Sequence, residues 1–165
     1  MFAARYYIMN VDAQDLTAVR DKLLQVPNMN TTGRLPAVLL LHVGMQVRIT
    51  VSDERLAGKA PVDTTGVVRN IELHPIDRAR WLQQTSDAIF ALHHTPTVLV
   101  KIDDTDTDFG LGPGIVAVDA VTSLPFTMEL ELGDQRCSTT RLLKVRAARE
   151  QVPSVSYTHL TLPTK

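Results

Sequence analysis

The stretch Leu35-Pro36-Ala37-Val38-Leu39-Leu40-Leu41-His42-Val43-Gly44-Met45-Gln46-Val47-Arg48-Ile49-Thr50-Val51 constrains the fold more than any other part of the chain. It opens as an apolar run, turns at Gly44, and continues with Val47, Ile49 and Val51 at every second position. That period puts the three side chains on one face of a strand and leaves no helical stripe. Val62-Asp63-Thr64-Thr65-Gly66-Val67-Val68 repeats the layout, a turn followed by a β-prone run. Two such units in succession predict a small, mostly β domain.

The remaining pattern agrees. Arg5–Met9 is rich in residues that suit a pleated surface. A helix follows, capped by Asp12, with Leu16, Val19, Leu23 and Leu24 on one face, and Pro27 ends it. Residues 28–33 read as a linker. Ser52 to Pro61 is a charged loop, and Val67–Leu73 alternates like a strand. His74-Pro75 starts a second helix, because proline suits a first helical turn; Ile76, Ala79 and Leu82 would be its apolar face. Thr97–Ile102, Ile115–Val121, Phe126–Leu132 and Leu142–Arg146 supply further strands, with a loop over residues 103–114. The expected class is mostly β (α+β), a small barrel or curled sheet with an N-terminal strand-helix piece.

At 165 residues the chain is one domain, or one domain with pieces of a neighbour. A net charge of −1 gives no overall electrostatic case for nucleic-acid or membrane binding. The single cysteine, Cys137, excludes an internal disulfide and a cysteine zinc cluster. No apolar run reaches the roughly 18–20 residues of a membrane helix. The N-terminus lacks a signal-peptide layout, so an intracellular setting is expected, nuclear if the source is eukaryotic.

Few residues suggest catalysis. Asp103 to Asp108 invites a calcium loop, but counting from Asp104 puts Gly110 one place late and Ile115 at the position of the bidentate Glu. It reads as a solvated hairpin loop. His93 and His94 point to opposite faces if they lie on a strand, which makes a shared metal awkward, and no third ligand is identifiable. Gly110-Leu111-Gly112-Pro113-Gly114 lacks Gly-Lys-Ser/Thr and is a turn. Cys137 forms no coherent dyad, so no catalytic or metal residue is assigned and a small hydrolase ranks last. Arg136, Arg141, Lys144, Arg146 and Arg149 form a cationic run with no acidic residue between Arg136 and Arg149. Alternation places Lys144 and Arg146 on one strand face. Such a face touches a phosphate backbone, or is a solvated face paired with the acidic loop.

Two stretches carry a family resemblance. Leu35-Pro36, Leu41, Val43, Gly44, Val47, Thr64 and Gly66 match a Leu-Pro opening, Leu-x-Val-Gly-x-x-Val, and an Asn-Gly-Thr-x-Gly turn. Val62 and Asp63 stand where Asn and Gly are usual, although Asp tolerates a tight turn. Arg149-Glu150-Gln151-Val152-Pro153 resembles an Arg-x-Gln-Phe-Pro element, with Val152 for Phe. Together they resemble the C-terminal motor region of Pif/RecD-like superfamily 1 DNA helicases, in which an SH3-like barrel is inserted.

The resemblance implies a fragment: residues 1–34 from the second motor domain, 35–147 the inserted barrel, and 148–153 the return, with Gln151 and Pro153 in the return motif. It implies a parent that hydrolyses ATP with Mg to move 5′ to 3′ on single-stranded DNA, in repair or recombination. The fragment would lack the ATPase motifs and need no cofactor itself. Arg141, Lys144, Arg146 and Arg149 would be its DNA-binding candidates. Its partners would be single-stranded DNA and the rest of the motor, with no membrane. The alternative is a non-enzymatic β-barrel module for a protein or peptide. Val155–Thr164 resembles the translation of a transposon-tagging sequencing adapter, so residues 154–165 are read as an adapter-derived tail.

Overall fold

The structure is a computed structural model and describes residues 2–26, 30–51, 56, 58–83, 92–133 and 140–156. In chain order these form β1 (Phe2–Ala3), β2 (Arg5–Met9), helix α1 (Leu16–Leu24), β3 (Val38–Leu39), β4 (Gln46–Ile49), β5 (Thr65–Glu72) and helix α2 (Pro75–Leu82). They continue with β6 (Thr97–Ile102), β7 (Ile115–Val118), β8 (Val121–Thr122), β9 (Phe126–Gly133), β10 (Thr140–Gln151) and β11 (Ser154–Ser156). The fold is mostly β with antiparallel pairing throughout, as the alternating pattern implies.

One sheet runs β11-β4-β5-β6-β7. Its inward positions are β-branched: Val47 and Ile49 on β4, Val68 on β5, Val98 and Val100 on β6, Val116 and Val118 on β7. Leu39, Leu56 and Val152 close this first core. Each fully buried Val or Leu contributes roughly 1.5–3 kcal/mol relative to exposure. A second sheet is built around the long strand β10, which pairs β2, β8 and β9. Its inner face carries Phe126, Leu130, Leu132, Val145 and Ala147, against which α1 packs Val19 and Leu23.

Several expectations change in detail. The N-cap of α1 is Asp15, not Asp12: the Asp15 N–H bonds the Asp12 carbonyl, so a turn occupies residues 12–15 before the helix begins. Leu16 in the first turn stays 40% exposed. The apolar run from Leu35 yields only two-residue β3, paired with equally short β1. Val51 lies beyond β4. The run Ile115–Val121 breaks at Asp119-Ala120, where Asp119 accepts a 2.6 Å hydrogen bond from the Thr97 hydroxyl and the chain changes sheet.

Helix α2 differs most. Ile76, Ala79 and Leu82 are all exposed, and the buried residue is Asp77. Its start is as expected, with Pro75 in the first turn and the His74 ring accepting from the Ile76 N–H.

The five-stranded sheet ends at β11 and β7, so no closed barrel forms among the described residues. Residue 147, expected to end the insert, falls inside β10. Ser154–Ser156, the start of the adapter-like tail, pair with β4; residues 157–165, and likewise Arg136, Cys137 and Pro27, lie outside the described residues.

Candidate nucleic-acid interface

Strand β10 sorts its cations by parity, because successive side chains leave a strand on opposite faces. Lys144 and Arg146 point outward and are exposed. Arg141 and Arg149 share the inner parity with Val145 and Ala147, facing α1. The register fixes the outer neighbours. Lys144 lies opposite Glu129, Leu142 opposite Glu131, Arg146 opposite Thr127 and Met9, and Ala148 opposite Tyr7. Residues directly across an antiparallel pair come within about 4.5–5.5 Å at Cβ. Arg5 lies 3.8 Å from Glu150, which also accepts from the Tyr7 hydroxyl. The outer face therefore mixes Arg5, Lys144 and Arg146 with Glu129, Glu131 and Glu150. Lys144 and Arg146 make no ion pair among the described residues.

The inner arginines hold α1 at its two ends. Arg141 pairs with Asp15 at the N-terminus. Arg149, fully buried, donates through Nη1 to the Leu35 carbonyl at 2.7 Å and the Thr32 hydroxyl at 3.0 Å, and through Nη2 to the Leu23 carbonyl at 3.2 Å. Its guanidinium carbon sits 5.0 Å from the Tyr6 ring centroid, within cation–π range. The Tyr6 hydroxyl donates to the same Leu23 carbonyl. A cation suits this end of α1, where carbonyls lack helical partners. Burial pushes the Arg149 pKa below its ordinary value, with Tyr6 opposing the shift. Burial also pushes the Tyr6 pKa up, against the pull of Arg149. Arg149, one of the four DNA-binding candidates of the sequence, is thus buried on the face opposite Lys144 and Arg146.

The family-like residues occupy turns and close contacts. Gly44 takes φ +87°, and its N–H bonds the Val68 carbonyl while Val68 N–H bonds Met45. Val43 projects into solvent, Leu41 packs against the first core, and Val47 lies within it. The Thr64 carbonyl accepts from the Ile49 N–H. Asp63 takes φ +69°, the left-handed conformation that the usual Gly adopts freely, and pairs with Arg34 at 3.2 Å. A Cβ on Gly66 would overlap the Lys101 carbonyl oxygen and lie 2.7 Å from Val100 Cγ1, so β5 approaches β6 there without room for a side chain. Gln151 is buried with its carbonyl oxygen on the Val152 N–H, and the Pro153 carbonyl accepts from Thr50 N–H at 2.8 Å.

A second polar cluster, centred on Asp77, was not legible as a site. The Asp77 carboxylate accepts from the main-chain N–H groups of His93 and His94, from Arg80 at 3.1 Å, and lies 3.0 Å from His94 Nδ1. The His74 and His94 rings stack with centroids 3.9 Å apart. Burial alone would raise the Asp77 pKa. The two main-chain N–H groups and the His94 ring outweigh it and hold the pKa at about 2. No group of three or more His, Cys, Asp or Glu able to hold a metal occurs among the described residues. Nor, among them, is any helix long and apolar enough to cross a membrane.

No protein-family model matches the chain, and no curated protein matches it. Among solved structures, it is similar to the Pif1 helicase from Bacteroides in complex with ADP-AlF3 and single-stranded DNA, at 12% identity and a TM-score of 0.38. Unliganded Pif1 from Bacteroides sp is similar at 13% identity and a TM-score of 0.38, and Bacteroides Pif1 bound to single-stranded DNA at 12% and 0.35. Each likeness covers 93% of this chain. The chain spans 23–24% of the length of those helicases.

Proposed function

We propose that the chain is part of an ATP-dependent DNA helicase resembling the Pif/RecD-like group, where it contacts single-stranded DNA and couples that contact to the motor. The observation that carries the reading is convergence. Arg149, at the head of the return-like stretch, donates to the carbonyl of Leu35, at the head of the opening-like stretch, across a separation of 114 residues. Two elements expected from the resemblance to bracket one insert thus meet in space. The same guanidinium holds the Leu23 carbonyl in the last turn of α1, which the resemblance assigns to the motor. Residues 1–34 would be motor, 35–147 the insert and 148–153 the return.

In this reading Lys144 and Arg146 meet the phosphate backbone, whereas Arg141 and Arg149 hold α1. ATP and Mg belong to the parent protein; the chain has no Gly-x-x-x-x-Gly-Lys-Ser/Thr loop and turns over no ATP itself. The test is fluorescence anisotropy of labelled oligothymidine with the chain at low salt. Binding that Lys144→Gln/Arg146→Gln weakens roughly tenfold is expected, since each lost cation removes one phosphate contact. No binding at low salt, or equal affinity in the double variant, would overturn the reading.

A further inference from the structure

Strand β7 forms one edge of the five-stranded sheet, with β6 as its sole strand partner among the described residues. The Ile102 N–H bonds the Gly114 carbonyl, which sets the phase of the β6–β7 ladder. In that phase Val116 and Val118 turn their main-chain groups toward β6, while Ile115 and Ala117 turn theirs away. The Ile115 N–H is taken by the Gly112 carbonyl. Among the described residues, the Ala117 N–H and carbonyl and the Ile115 carbonyl remain as an outward-facing row. Beside them lies a cavity of about 140 Å³ lined by Leu56, Lys59, Phe109, Leu111, Ile115 and Ala117 among others. Leu111 is 50% exposed at its rim.

The charges around the groove are predominantly acidic. Asp103, Asp104, Asp106 and Asp108 occupy the adjoining loop, Asp119 lines the groove, and Lys101 and Lys59 are the nearby cations. Lys101 is already bound to Asp106 at 2.6 Å. A second copy of this chain pairing edge to edge would bring two acidic loops together, which is unfavourable. We propose that the β7 edge receives an extended basic peptide segment as an added strand. Main-chain hydrogen bonds to Ile115 and Ala117 would supply affinity, an apolar side chain would enter the cavity, and alternate Lys or Arg residues would face the acidic loop. This inference is independent of DNA contact, which lies on the other sheet.

The probe is the capped heptapeptide Lys-Val-Lys-Leu-Arg-Val-Lys, titrated calorimetrically into the full chain. Saturable binding that weakens with salt is expected. Ala117→Pro removes the outward N–H without breaking a ladder bond, a substitution an edge strand tolerates. It should weaken binding about tenfold, the equivalent of one lost hydrogen bond. Leu111→Ser and a peptide N-methylated at its Leu should each weaken binding too, and they keep the test open if the proline variant does not fold. Absence of binding, equal affinity for the N-methylated peptide or the Leu111→Ser variant, or sedimentation showing self-association through this edge would overturn the proposal.

Discussion

A guanidinium taken out of water needs partners for its N–H groups, and Arg149 finds them for Nη1 and Nη2 in two main-chain carbonyls and a hydroxyl rather than a carboxylate, while its Nε has no partner among the described residues. Arg149→Ala would remove three charged hydrogen bonds and open a void, costing about 3–5 kcal/mol by urea unfolding, although the Leu23 and Leu35 carbonyls keep the Tyr6 and Thr32 hydroxyls as donors. Arg149→Lys should fall between, because an ammonium cannot fork to Leu23 and Leu35 together. A loss under about 1 kcal/mol for the alanine variant would contradict this role, since that is less than one charged hydrogen bond.

Asp77 is the complementary case, a buried anion held by donors. Its pKa falls from 3.8 to about 2 on folding, so its contribution is present above pH 3.8 and is lost as pH falls through 2. The contribution is about 2 kcal/mol. Asp77→Asn should unfold at lower urea near neutral pH and lack the wild type's extra loss of stability between pH 4 and pH 2. Parallel pH slopes in that window would contradict it. Neither residue could be read from local pattern alone. Arg149 lay in a cationic run whose parity was informative, but Asp77 is buried by donors 16 and 17 residues away.

At the level of elements, the alternating runs gave β2, β5 and β6 nearly as expected, and Pro75 marked the start of α2, because these signals are local. Edge lengths depended on partners. Strand β10 extends from Thr140 to Gln151 since β9, β2 and β8 take successive parts of it. The turn before β5 gives an element-scale prediction. Asp63 occupies a left-handed conformation costing L-residues about 1–2 kcal/mol, with Asp among the better tolerated. Asp63→Gly should therefore leave stability unchanged or slightly raised, the lost surface pairs with Arg34 and Arg48 being worth little. Asp63→Val should lower it by about 1–2 kcal/mol. Gly66→Ala should be worse than Asp63→Val, because its Cβ would meet main chain that cannot step aside. Equal melting temperatures for Asp63→Gly and Asp63→Val would show that the turn is not under this constraint.

Across the whole molecule, two cores share one seam. Strand β10 contributes Val145 and Ala147 to the core beneath α1, and the chain then passes through Arg149 and Gln151 to place Val152 in the other core. The resemblance located both ends of this path in the sequence; the contact between them depends on the long-range fold. The outer face of the β10 sheet carries as many carboxylates as cations, so the proposed contact with single-stranded DNA is weak and rests on Lys144 and Arg146. The most direct test is the affinity for oligothymidine across a salt series. Two phosphate contacts give a slope of log Kobs against log salt of about −1.4, at about −0.7 per contact for single strands. That slope, falling toward zero in Lys144→Gln/Arg146→Gln, is expected. A slope near zero in the wild type, or one unchanged by the double substitution, would contradict DNA contact through this face.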